Sequence, residues 1–107
     1  LIANHGQRIA SGFIAESPAK LRRIADYFKA HLGDGAFPPI ACNAPWVSLV
    51  VETNGDVRPC FFHSALGNIH TTPLDEILNS DAAVAFRRNL DVSRDPICER
   101  CVCTLKH

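Results

Sequence analysis

The sequence predicts an α+β fold, with an N-terminal helix, then a β-hairpin, then two or three short helices that close on a group of cysteines. Three observations predict it. Apolar residues recur at helical spacing through residues 18–32. Asn54-Gly55 stands between two stretches rich in β-forming residues. Five cysteines occur in 107 residues, three of them between positions 98 and 103.

Residues 1–16 carry few strong signals, and Gly12-Phe13-Ile14-Ala15 reads as one short strand. Ser17-Pro18 is an N-cap followed by proline at the first helical position. Leu21, Ile24, Ala25, Phe28 and Leu32 then form the stripe of an amphipathic helix over 18–32, read as a core face. Gly33 suits its C-cap. Residues 33–39 have the composition of a linker, and the domain boundary is placed there.

Beyond it, Trp46-Val47-Ser48-Leu49-Val50-Val51 predicts a strand. Asn54-Gly55 predicts a two-residue hairpin turn with positive φ at both central positions. Asp56 to Cys60 is the return strand, which sets Cys42 and Cys60 at the same open end. Leu66 to Ile69 is a short extended piece. Thr72-Pro73 opens a second helix whose inner face is Leu74, Ile77 and Leu78, with Asp75-Glu76 complementing the helix dipole. Ser80 caps a third helix over about 81–90, with Val84, Phe86 and Leu90 as its apolar positions. Asp95-Pro96 ends regular structure ahead of the last cysteines.

Lys plus Arg and Asp plus Glu each number 11, so the formal charge is zero. Residues 1–35 carry five basic and three acidic groups, and the remainder six and eight. No basic patch of the kind that drives nucleic-acid or membrane-surface binding is present. Nearly half the residues are hydrophobic, at 47%, which is a globular composition. No apolar run approaches the ~20 residues of a membrane span, and no secretory signal is visible. These readings favour the cytoplasm. Methionine is absent, so the sequence reads as a fragment of a longer protein.

The cysteines fall as Cys42, seventeen residues, Cys60, thirty-seven residues, Cys98, two residues, Cys101, one residue, Cys103. The C-x-x-C lets two sulfurs reach one metal without strain, and a pair across a hairpin supplies two more. Four thiolates suit a tetrahedral Zn²⁺ or an iron–sulfur cluster, and spacing does not choose between them. Disulfides are disfavoured without a secretory signal.

Several runs together resemble a SPASM/Twitch domain, the auxiliary-cluster domain that follows the barrel of radical S-adenosylmethionine (SAM) enzymes. They are Cys42-Asn43-Ala44-Pro45-Trp46, Asn54-Gly55-Asp56-Val57, Pro59-Cys60-Phe61-Phe62-His63, Gly67-Asn68-Ile69, the helix from Leu74 to Ser80, and Pro96-Ile97-Cys98-Glu99-Arg100-Cys101. The resemblance covers about residues 40–103. It implies a [4Fe–4S] cluster held by Cys42, Cys60, Cys98 and Cys101. Cys103 departs from the usual interval and is a spare thiol or an alternate ligand. Four residues follow Cys103, so a second cluster lacks ligands unless the parent protein continues.

The same resemblance divides the chain into residues 1–35, a strand and helix like the end of a radical SAM barrel, and residues 36–107, the auxiliary domain. The C-x-x-x-C-x-x-C signature of SAM cleavage is absent, so SAM would bind only in a part of the parent outside this sequence, and this segment alone is not expected to be catalytic. The expected partners are that barrel and a peptide or small-molecule substrate, with neither nucleic acid nor membrane. The expected role is electron transfer and substrate binding within an oxidoreductase. A structural four-cysteine zinc module that mediates binding is the alternative.

Other residues have plainer readings. Gly55 serves the turn. Trp46 packs over the cluster or the hairpin core. His63 takes a surface position or one beside the cysteines, with metal ligation as the lesser option. His5, His31, His70 and His107 are surface histidines. Arg87-Arg88 is a solvated face near a helix C-terminus. No paired-carboxylate, Ser-His-Asp or phosphate-loop arrangement occurs.

Overall fold

Proline and glycine punctuation sets most element boundaries in the computed structural model, which describes residues 2–103. The chain divides between Pro39 and Ile40 into two compact units.

In the first unit a 3₁₀ turn, Ala3–His5, leads into helix α1, Gly6–Ala10. The strand expected at Gly12–Ala15 does not form. Gly12 takes φ +77° and donates its N–H to the Ile9 carbonyl, while Ile14 N–H reaches the Arg8 carbonyl. The segment is therefore wound back on the end of α1. Helix α2, Pro18–His31, starts as predicted: Ser17 Oγ accepts from Lys20 N–H at 3.2 Å, with Pro18 in the first turn. It ends in a Schellman motif, with Gly33 at φ +84°, its N–H on the Ala30 carbonyl, and Asp34 N–H on the Lys29 carbonyl. The apolar stripe is not a buried core face. Ile24, Phe28 and Leu32 are exposed, and Ala30 is the residue of α2 that is buried. The unit's ordering comes instead from edge-to-face contacts of Tyr27 with His31 and Phe37, and from Arg23 Nη1 donating to the Pro39 carbonyl at 2.7 Å.

The second unit opens with a short helix, α3, Ala44–Val47, where a strand was expected. Pro45 presets a helical φ, and Trp46 N–H and Ser48 N–H close on the Asn43 and Ala44 carbonyls. The β-forming residues thus become extended only at β1, Val50–Val51. β1 pairs antiparallel with β2, Asp56–Arg58, and β2 with β3, Gly67–Asn68. The extended piece at 66–69 is therefore a third strand.

The hairpin turn is also not the expected one. Gly55 has φ +88°, but no non-glycine residue has positive φ among those described. Gly55 N–H bonds the Glu52 carbonyl, and Glu52 N–H bonds the Asp56 carbonyl. This is a three-residue loop, a type I turn followed by glycine in the left-handed region. Asn54 Oδ1 accepts from Asp56 N–H instead of leading the turn.

Helices α4, Leu74–Asn79, and α5, Asp81–Asn89, follow as predicted, with Ser80 Oγ capping α5 through Ala83 N–H. The core of this unit is Ala44, Val57, Ile77 and Ala83. Leu74 and Val84, expected to face inward, are exposed, and Ala83 takes the closely packed position. Arg87 is not part of a solvated face: its Nη2 donates to the Leu78 carbonyl at 2.7 Å and ties α5 to α4. Asp95-Pro96 starts a helix instead of ending regular structure. Asp95 Oδ1 accepts from Ile97 N–H and Cys98 N–H, and α6 runs Pro96–Glu99.

Candidate metal centre

Three stretches of chain, fixed by a proline, a glycine loop and a side-chain cap, carry the cysteines to one place. Cys42 precedes α3, where Pro45 sets the backbone. Cys60 follows β2, whose register is set by the Gly55 loop. Cys98 sits on α6, capped by Asp95, and Cys101 N–H bonds the Cys98 carbonyl at 3.0 Å, so the C-x-x-C curls into a single turn. Cys42, Cys60, Cys98, Cys101 and Cys103 all line one pocket, together with Ile40, Pro45, Val92 and Ile97. Phe61 and Phe62 complete its wall while remaining exposed. All five cysteines are free thiols and half-buried.

The donor set decides what such a pocket accepts. Thiols surrounded by aliphatic and aromatic side chains suit zinc or iron–sulfur clusters, not hard cations such as Mg²⁺ or Ca²⁺, which demand oxygen ligands. Two sulfurs also receive backbone N–H groups, Cys42 Sγ from Ala44 at 3.4 Å and Cys101 Sγ from Cys103 at 3.3 Å. Such bonds favour the negative thiolate.

In the metal-free protein two of these thiols, Cys98 and Cys101, are held in the neutral form. Burial pushes the Cys98 thiol up to about 12, aided by the Asp95 carboxylate and by Cys60 and Cys101. Burial also raises Cys101, where the Cys103 N–H works in the opposite direction and the Cys103 and Cys42 sulfurs add repulsion. The burial and crowding that oppose the thiolates of Cys98 and Cys101 are what a bound cationic centre offsets.

His63 is not a surface residue. It is 5% exposed, with Nε2 3.5 Å from Cys98 Sγ and 3.7 Å from Asp95 Oδ1. His63, Asp95 and Cys98 offer ligand-type atoms within 4.8 Å of one another. The position beside the cysteines is thus the one it occupies. Sequence reasoning read Asp95 only as the end of regular structure and gave it no place at the site. The signal was present, since Asp-Pro is also an N-cap followed by proline. Trp46 does not cover the cysteines: it is 45% exposed and borders a different groove with Leu49, Leu78 and Arg87. His31 and His70 are exposed and His5 is half-buried, while His107 lies outside the described residues. No helix among the described residues is long and apolar enough to cross a membrane.

No curated protein and no solved structure matches the chain significantly. A family model does. Residues 42–102, more than half of the chain, match SPASM, an iron–sulfur cluster-binding domain. The matched segment begins at Cys42 and encloses Cys60, Cys98 and Cys101, all on the wall of the one pocket. Sequence and pocket chemistry thus agree that this chain belongs to the SPASM family of iron–sulfur cluster-binding domains.

Proposed function

We propose that the chain holds a [4Fe–4S] cluster through Cys42, Cys60, Cys98 and Cys101, as the auxiliary domain of a radical SAM enzyme. The observation that carries this reading is the convergence of all five cysteines on one pocket walled by apolar residues. When bound, the group supplies one-electron transfer at a potential set by its surroundings.

The chain's own residues do the rest. The four thiols bind after losing their protons. Ile40, Pro45, Val92 and Ile97 exclude water from the sulfurs. The Ala44 and Cys103 amides hold Cys42 and Cys101 in orientation and spread their charge. Four cysteine ligands leave no open iron site, which favours electron transfer over direct ligation of substrate. Cys103 then remains a spare thiol beside Cys101. The reducing cytoplasm is the compartment in which five free thiols persist. The barrel of the same parent chain, and a peptide or small-molecule substrate, are the partners this role implies.

The test is iron, sulfide and zinc content of anaerobically prepared protein, with its visible absorption. Iron and sulfide in equal amounts, about four of each per chain, are expected for one cubane cluster. Serine at Cys42, Cys60, Cys98 or Cys101 should lower the iron content, and serine at Cys103 should leave it unchanged. One zinc and no sulfide, even after anaerobic reconstitution with iron and sulfide, would replace this reading with a structural zinc module.

A further inference from the structure

We infer that His63 is a positioning residue for the metal centre: its Nε2–H donates a hydrogen bond to Cys98 Sγ and thereby raises the reduction potential of the bound cluster. The inference rests on the cluster-binding reading above.

The geometry begins with the cage around the imidazole. The main-chain carbonyl of His63 accepts from Arg58 Nη1 at 2.9 Å, which anchors the residue to β2. Phe86 of α5 meets the ring edge-to-face at 4.9 Å between centroids. Only 5% of the residue is exposed, so the ring has little freedom to turn. Its Nε2 faces two groups, Cys98 Sγ at 3.5 Å and Asp95 Oδ1 at 3.7 Å.

The chemistry of those two groups fixes where the imidazole proton sits. A metal-bound cysteine sulfur is a thiolate and accepts only. An ionised carboxylate also accepts only. A bare nitrogen lone pair facing both is repelled by both, so the metal-bound protein places the proton on Nε2. The sulfur is the nearer acceptor, and 3.5 Å lies within the reach of a hydrogen bond to sulfur.

Asp95 supports the arrangement from two sides. The oxygen that faces His63 also accepts Ile97 N–H and Cys98 N–H at 2.9 and 3.0 Å. One carboxylate therefore orients the helix that carries Cys98 and faces the imidazole that touches its sulfur. Hydrogen bonds to cluster sulfurs are a recognised lever on potential. The reduced cluster carries one more negative charge than the oxidised one, so a donor stabilises the reduced form more.

The experiment measures the potential of the iron-loaded chain by spectroelectrochemical titration, beside iron and sulfide content. His63→Leu removes the donor, and His63→Gln keeps an N–H donor. With iron and sulfide at the wild-type level, the leucine variant is expected at a lower potential and the glutamine variant closer to wild type. Equal potentials in all three proteins, or equal shifts in both variants, would overturn the inference.

Pulsed electron paramagnetic resonance of the reduced wild-type protein, labelled with ¹⁵N-histidine, gives a readout that needs no variant. A weak nitrogen coupling, as for a hydrogen-bonded donor, is expected. A strong coupling would make His63 a ligand to iron, and no coupling would remove the contact; either result overturns the inference. Zinc without sulfide would overturn the cluster reading and this inference together. Normal cluster content with an unmoved potential overturns this inference alone.

Discussion

Gly67 of β3 lies directly against Ile77 of α4: a Cβ placed on Gly67 would stand 3.0 Å from Ile77 Cγ1 and 3.1 Å from Cγ2. Ile77 is among the few buried residues of its unit, so it has little room to retreat. Gly67→Ala should destabilise the unit by about 1–3 kcal/mol, the usual cost of overpacking. Chemical denaturation of the metal-loaded protein checks it, and a gain in stability would show that the sheet and α4 can move apart freely.

Gly55 tests a different constraint. Its φ of +88° lies in the left-handed region, which costs an L-residue about 1–2 kcal/mol. A Cβ there would also come within 2.7 Å of Asn68 Oδ1. Asn68 matters because its Nδ2 bridges the Asn54 carbonyl and Asp56 Oδ1, and its Oδ1 accepts from His70 N–H. Gly55→Ala should therefore cost at least the strain term. Because this loop sets the register of β2, it should also slow iron uptake through Cys60. Reconstitution rates beside unfolding midpoints separate the two effects.

The acidity of Cys98 gives a pH prediction for the metal-free chain. Its folded value, near 12, exceeds its ordinary value of 9.0. The folded state therefore binds this proton more tightly than the unfolded state. The associated stability is complete below pH 9 and is lost as pH rises from about 9 towards 12. Thermal unfolding of metal-free protein should show a falling midpoint through that window. Metal uptake has the opposite sense, because each ligand must release a proton, so apparent affinity should fall as pH is lowered. A pH-independent metal affinity would mean the thiols are already ionised before binding.

Removal of the metal should reach beyond the cysteines. Among the described residues of the second unit the buried hydrophobic side chains are Ala44, Val57, Ile77 and Ala83, two of them alanines, with Pro45 and Pro59 buried beside them. So small a core supplies little hydrophobic stabilisation, and the metal's binding energy becomes folding energy. Chelation is expected to lower the unfolding midpoint and to increase amide exchange over α6 and the segment around Cys42. Unchanged exchange there would show a site that forms without its metal.

Much of this was legible in the sequence, and what was not has identifiable causes. Helix α2 was legible because Ser17, Pro18 and Gly33 are local signals read by the backbone itself. The cysteine grouping was legible because C-x-x-C is a geometric unit. Pro45-Trp46-Val47 was misread because β propensity describes side chains, whereas Pro45 had already set the backbone. Asn54-Gly55 fits two kinds of turn, and the choice between them depends on strand register, which no dipeptide encodes. The burial of His63 depends on Phe86, Arg58 and Asp95, each distant in sequence or hidden behind another plausible role. Ala83 entered the core because of its small size, a property that an amphipathic pattern does not reward.

The order of the sulfurs along the polypeptide has a consequence for biosynthesis. Thirty-seven residues must be added after Cys60 before Cys98 is made, and Cys101 follows it. In sequence the two pairs of cysteines are separated by β3, α4 and α5. While those residues are being added, a nascent chain offers Cys42 and Cys60 without the thiols of the C-x-x-C. With the proposed ligand set, a cluster can be completed only once residue 101 is outside the exit tunnel, so translation sets the earliest moment of loading.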